Sequence, residues 1–263
     1  MPCDDPNWSN FWRYFHEHFT DLGLKRIICT FISLDNPHYA LSYTGGNDAD
    51  ILHGERIPLD FDGDFYSGDA LNFYAQCDIV CTNPPFSLFR KFADTVLQFD
   101  IDLLCIAASA SAGYLNIFNY IKSGRLRASD IVGYSDGLLF MHGTEETHIA
   151  AMWYTTFEAT GRVLKLTAKY EPEKYPILDN YAAINVNYLA DIPYDYEGLM
   201  AVPQTVVSCL ESGQFELITL LKNGYLDGNK LFTRFIVKLN KNFRDPGVNA
   251  ETCRACASTG ISS

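Results

Sequence analysis

Asn83-Pro84-Pro85-Phe86 is the stretch of this chain whose residue types and order suit a reaction. An exocyclic amine on a nucleobase is a poor nucleophile, because its lone pair is delocalised into the ring. An Asn side-chain carbonyl and a fixed backbone carbonyl, here that of Pro84, can accept both N–H hydrogens and steer the lone pair toward an electrophile. An aromatic ring such as Phe86 can stack on a base pulled out of a duplex. Asn-Pro-Pro before an aromatic is therefore a compact device for methylating an amino nitrogen. Read alone, the tripeptide is equally a rigid turn, since each proline fixes its own φ and lacks an N–H.

The flanking residues favour the chemical reading. Asp78-Ile79-Val80-Cys81-Thr82 is short, apolar and β-branched, which predicts a buried strand that the prolines must end. From Phe86 onward, apolar residues at 86, 89, 92, 93, 96 and 97 have helical spacing. A strand, a polar turn and a helix set Asn83 at the carboxyl end of a strand, where open α/β sheets bind ligands.

The segment resembles motif IV of amino-group DNA methyltransferases, and its surroundings are similar to the EcoRI-type adenine-specific modification methyltransferases. Co-linear blocks carry the likeness: CDDPNWSNFWRYF, GLKRIICTF, FDGDFYS, DIVCTNPPFSLFRKF, LDNYAAINV, DIPYDYEGLMAVP and GNKLFTRFIVK, spanning residues 3–238. The resemblance implies an α/β fold, a doubly wound, mostly parallel Rossmann-like sheet with a smaller carboxyl-terminal region. It implies S-adenosylmethionine as methyl donor and adenine N6 in double-stranded DNA as target. Asn83, Pro84, Pro85 and Phe86 then form the catalytic turn. Cys3, Asp4, Asp5 and Pro6 form an acidic turn against the cofactor, where carboxylates suit the cationic methionine end; residue type alone favours instead an ordinary N-capping Asp pair. In the glycine turn at 62–67, Asp64 would accept the cofactor's adenine amino hydrogens and Phe65 would stack on the ring, the alternative being an acidic surface turn.

Only Met1 and Pro2 precede Cys3. The central first strand is therefore expected to be missing, along with the family's amino-terminal segment, unless another element fills the gap. Open inner edges on the second and fourth strands then predict low stability, association through those edges and weak cofactor binding. This leaves a rival reading: a truncated, catalytically silent relative that binds DNA or a partner. The same turn can also present an RNA base or a glutamine amide, against which the co-linear blocks argue.

At 263 residues and 48% apolar, the chain can bury one substantial core. The expected divisions are a cofactor-binding and catalytic core at 1–157, a target-recognition region at 158–240 and a disordered tail at 241–263. No apolar run approaches the ~20 residues that span a bilayer, and the first residues are acidic rather than basic, so cytoplasm is the expected location. The 8 cysteines are scattered, several in predicted strands, and read as core residues; Cys253 and Cys256 form a lone CxxC. His142 and His148 lack partners at metal-ligand spacing, and no metal is expected. The net charge of −12 argues against a general nucleic-acid binder. Lys122, Arg125 and Arg127 are the densest basic cluster and a candidate phosphate contact, or else a solvated helix end.

Further elements complete the expectation. They are a helix carrying Trp8, Phe11, Trp12, Phe15 and Phe19, a strand over 25–32 and a hairpin or loop over 33–60. Asp35 is a possible ribose ligand. A helix is expected over 68–76, a strand over 102–108, a helix over 114–122 and hairpin strands over 138–141 and 148–157. Residues 163–169 and 231–239 read as strands and 215–221 as a helix. Tyr175, Tyr181, Tyr188, Tyr194 and Tyr196 can stack on bases or pack a loop-rich region equally well.

Overall fold

Ser9 sets the start of the first helix. Its hydroxyl accepts the Trp12 amide at 3.0 Å, capping helix α1 (Asn10–Glu17). The structure, a computed structural model, describes residues 1–32, 38–47, 49–129, 138–142, 145–159 and 161–243. It divides into two compact units, Met1–Ala159 and Thr160–Ser263. Asp35, Cys253, Cys256 and most of the tail expected at 241–263 lie outside the described residues.

In the first unit, α1 covers a three-stranded antiparallel sheet of β1 (Ile27–Cys29), β2 (Tyr39–Tyr43) and β3 (Glu55–Pro58). The apolar spacing of the helix places Trp12 against Ile27, Cys29, Leu41 and Tyr43 in one buried cluster. Trp12 donates its indole N–H to the Ile51 carbonyl at 2.6 Å, so the ring is buried without an orphaned donor. The strand expected over 25–32 is thus shorter, and the 33–60 segment supplies the hairpin that pairs with it.

Helix α2 (Gly68–Tyr74) is capped by Ser67, whose hydroxyl accepts the Ala70 amide. The strand before Asn83, β4 (Ile79–Thr82), is followed by a 3₁₀ turn at Phe86–Leu88 and helix α3 (Phe89–Val96). Phe89, Phe92, Ala93 and Val96 are fully buried, which is the helical spacing expected of them. Next come β5 (Asp102–Ala108), α4 (Leu115–Lys122) and β6 (Arg127–Ser129). The hairpin β7 (Leu138–His142) and β8 (Glu145–Ile149) precedes β9 (Ala151–Thr155). The single strand expected over 148–157 is instead two. The chain breaks at Ala150, whose carbonyl accepts the Ser109 amide at 2.9 Å, leaving β8 to pair with β7 and β9 to enter the main sheet.

That sheet has the order β4-β5-β9-β6. Only β4 and β5 run parallel; β9 is antiparallel to both β5 and β6. The α/β class holds, and the sheets are mixed rather than mostly parallel. Cys29, Cys81 and Cys105 are buried free thiols, as expected of core residues.

The gap foreseen between the second and fourth expected strands is partly filled by the first residues. Pro2 forms a parallel bridge with Thr30, and the Thr30 amide donates to the Met1 carbonyl at 3.2 Å. From the other side, the buried Thr82 hydroxyl donates to the Pro2 carbonyl. The amino-terminal ammonium donates to the Ile28 carbonyl at 2.6 Å.

The second unit is a mixed sheet of β10 (Ile184–Asn185), β11 (Met200–Pro203), β15 (Arg234–Leu239) and β12 (Phe215–Leu221) in that order, with a small hairpin, β13 (Tyr225–Leu226) and β14 (Asn229–Lys230). Ala201, Ile236 and Leu178 pack its core. The helix expected over 215–221 is β12: a short apolar run does not separate the two periods, and pairing with β15 decides. Residues 163–169 form no strand beyond an Ala168–Pro193 bridge.

Gly63 shows how tightly the first unit fixes its turns. Its φ is +82°, and a Cβ there would lie 2.4 Å from the Phe31 carbonyl oxygen, just past β1. Gly63→Ala combines left-handed strain with a backbone clash and is expected to cost about 1–3 kcal/mol. Denaturant midpoints of the two proteins check this, and an unchanged midpoint would mean that the turn is free to move off Phe31.

Candidate active site

Three turns converge at the carboxyl ends of β1 and β4. Asp4 donates its amide to the Thr30 carbonyl at 3.2 Å, seating the Cys3–Pro6 turn at the end of β1. Gly63 abuts Phe31, one residue further. The Asn83 turn follows Thr82, which binds Pro2.

Asp4 is 5% exposed, and its two oxygens are treated differently. Oδ1 accepts the Ser9 hydroxyl at 2.6 Å, while Oδ2 is buried with no hydrogen-bond partner. Burial raises the carboxyl pKa; the Ser9 hydroxyl, Thr82 and the Asn83 backbone amide oppose that rise without cancelling it. Cys3 holds a φ of +63°, uncommon for a residue with a side chain. Its thiol is pushed up to about 12, first by burial and then by the Asp4 and Asp64 carboxylates nearby. The turns at 3–6 and 62–67 are therefore electrostatic neighbours. Asp5 is engaged locally, its Oδ1 accepting the Asn7 amide at 2.9 Å, and Pro6 is buried.

Asn83 is half-buried, and its Oδ1 is a buried acceptor without a partner. An orphaned acceptor costs about 1–3 kcal/mol, so one beside a second orphan at the end of a strand marks a place built for donors. Pro84 is buried, Pro85 is exposed, and the Leu88 amide donates to the Pro85 carbonyl at 2.9 Å, closing the 3₁₀ turn. Phe86 opens this turn instead of the α-helix. It is only half-buried, unlike the fully buried Phe89 and Phe92.

Phe65 is 1% exposed and stands edge-on to Phe92, with ring centroids 5.5 Å apart, so it packs in the core. The exposed aromatic of that turn is Tyr66. The half-buried Asp64 beside it raises its phenol pKa, and the Lys91 ammonium lies 3.1 Å from its ring centroid. Sequence reading missed Ser9, Tyr66 and Lys91. Ser9 had a signal, a serine directly before an apolar helical pattern, which marks an N-cap.

The basic cluster does not join this site. Arg127 pairs with Thr155 on β9, which lies opposite Leu104 near the start of β5. Its guanidinium donates to the Thr156 carbonyl at 2.9 Å, and the Thr156 hydroxyl binds Asp102, the first residue of β5. In the order β4-β5-β9-β6, Asn83 follows one outer strand of the sheet and Arg127 lies on the other. Lys122 and Arg125 are exposed.

No solved structure matches the chain. Sequence relatives do. It is 34% identical over 252 residues to the Type II methyltransferase M.EcoRI of Escherichia coli, covering 84% of this chain and 77% of the relative. It is 32% identical to the Type II methyltransferase M.MgeORF184P of Mycoplasma genitalium, covering 91% and 80%. The family described as adenine-specific methyltransferase EcoRI matches residues 1–252. A match of that extent takes in all three turns, and the chain belongs to the EcoRI family of adenine-specific methyltransferases.

Proposed function

We infer that this protein methylates N6 of adenine at a specific sequence in double-stranded DNA, as part of restriction–modification, with S-adenosylmethionine as donor. The family carries the activity. The observation that carries the residue assignment is the unpartnered Asn83 Oδ1, buried at the end of β4. It accepts one N6 hydrogen of the flipped adenine while the Pro84 carbonyl accepts the other, and Phe86 supports the base. The donor supplies an electrophilic methyl group on a cationic sulfur. Asn83 and Pro84 would hold the N6 lone pair toward that methyl carbon, so that a C–N bond could replace the donor's C–S bond and the nitrogen's proton leave to water. Catalysis is mostly positioning.

The fit to the donor rests on Asp4 and Asp64. The orphaned Asp4 Oδ2 suits an ammonium, and the half-buried Asp64 suits an amino donor. Tyr66, exposed beside Asp64, is the more accessible aromatic of this turn for an adenine ring. The bridge of Pro2 to Thr30 supports a doubly wound, Rossmann-like layout in which Met1 and Pro2 lie along β1. Among the described residues no helix is long and apolar enough to cross a membrane. The cytoplasm is the proposed location because the DNA substrate is there.

Asn83→Ala is expected to lower the methylation rate by about 10²-fold or more while donor affinity and thermal midpoint change little. Radiolabelled methyl transfer to duplex DNA checks it, and wild-type turnover by the variant would sink the assignment.

Asp4 links donor binding to pH. Its folded pKa lies above the unfolded value, so the donor-free fold holds its proton more tightly. That stabilisation is full below the ordinary carboxylate pKa and is lost as pH rises through the raised one. Donor binding needs the ionised form, so affinity should fall as pH drops through the raised value. Asp4→Asn should weaken donor binding and flatten both pH dependences, measured by calorimetry and thermal melts. An unaltered affinity profile in the variant removes Asp4 from the donor site.

A further inference from the structure

One end of the second unit's sheet gathers the side chains that read base edges. In the register, Pro203 lies opposite Arg234, and Arg234 opposite Leu221, at the limit of β11, β15 and β12. Asn185 sits level with Ala201, so Asn187, two residues on, reaches the level of Pro203. The contacts agree: Asn187 Oδ1 accepts from Arg234 Nη2 at 3.0 Å and from Asn185 Nδ2 at 3.1 Å. Gln204 follows Pro203 on the same edge, and its amide donates to the Thr233 carbonyl at 3.5 Å.

This cluster is polar and incompletely satisfied. Asn185 Oδ1, Gln204 Oε1 and Arg234 Nε are all buried without a hydrogen-bond partner, and Asn185 is 5% exposed. Such groups inside a folded unit call for a ligand or a water to complete them. Among the described residues, the Arg234 guanidinium bonds the neutral Asn187 amide rather than a carboxylate. Burial lowers the Arg234 pKa. A guanidinium without a carboxylate is kept for an outside acceptor more readily than for fold stability. Large exposed aromatics flank it: Tyr188 is 71% exposed, next to Asn187, and Phe232 is 89% exposed, two residues before Arg234.

We propose that Asn185, Asn187, Gln204 and Arg234 form a base-reading site that contacts the edge of one purine of the recognition sequence in duplex DNA. Arg is suited to the O6 and N7 acceptors of guanine, and Asn and Gln to N6 and N7 of adenine. The Asn187 amide holds the Arg234 fork in the DNA-free state, and a base edge completes the orphaned donor and acceptors. Tyr188 and Phe232 supply flat apolar surface beside it. The proposal rests on the chain being a DNA adenine methyltransferase, and it names where sequence is read.

The test is methylome sequencing of cells expressing the full chain as wild type, Arg234→Gln and Asn187→Ala. It is paired with methylation of oligonucleotide duplexes that each carry one substituted base pair. Both variants are expected to lose about 5- to 150-fold in discrimination at one and the same position of the site, with the other positions unchanged. Asn187 is exposed, so its variant carries the test if Arg234→Gln fails to fold. Two results overturn the proposal. One is an unchanged discrimination profile in Asn187→Ala. The other is a uniform loss of affinity for all sequences with a shallower salt dependence, the signature of a phosphate contact. Wild-type expression that leaves no methylated adenine would instead overturn the functional reading itself.

Discussion

The parallel pairing of β4 with β5, stopped at Thr82 by two prolines, is the constraint on which the site depends. Thr82 is the last residue of β4 to take part in the ladder, opposite Cys105. Neither Pro84 nor Pro85 can donate to a neighbour, so the backbone must leave the sheet within one residue. Asn83 is the residue caught at that exit, with its carbonyl oxygen buried and unpaired. Core packing then fixes the segment after the turn. Phe89 and Phe92 are fully buried, so α3 cannot rotate, and Phe86 is held one turn before the packed face.

The acidic turn is secured by a different economy of groups. Ser9 does two things with one hydroxyl: its oxygen accepts the Trp12 amide and its hydrogen goes to Asp4. The cap of α1 thereby fixes one carboxylate oxygen and leaves the other without a donor. Trp12 is immobilised in turn by the Ile51 carbonyl and the core against β1 and β2. A capping substitution at Ser9 thus acts on the site through Asp4, though Ser9 itself touches no reacting group.

Much of this was legible because the relevant signals are local. The β-branched run before Asn83, the prolines and the apolar spacing after them prescribe strand, turn and helix without reference to the rest of the chain. The 62–67 turn was legible from its local Asp-Gly-Asp run, although the need for glycine at 63 comes from Phe31, which leaves no room for a Cβ. What sequence leaves open lies wherever tertiary contact decides. Phe65 and Tyr66 are adjacent aromatics, and only the fold reveals that the first faces Phe92 and the second faces solvent. Residues 215–221 carry an apolar pattern compatible with either period until β15 pairs with them. Lys122, Arg125 and Arg127 form a compact basic run, and only the sheet order shows that β6, which carries Arg127, and β4, which leads to Asn83, are opposite outer strands.

Net charge bears on how the target is held. A chain with net charge −12 gains little from the general attraction that holds basic proteins on DNA. Some of its cations are also committed locally: Lys91 lies over Tyr66, Arg127 holds the Thr156 carbonyl and Lys241 pairs with Glu197. With weak non-specific binding, occupancy of the target must come from contacts that only the right sequence supplies. An enzyme of this kind is expected to favour buried, uncompensated polar groups over a basic surface. Asn83 after β4 and Arg234 at the start of β15 both have that character, each with a buried polar atom that has no hydrogen-bond partner.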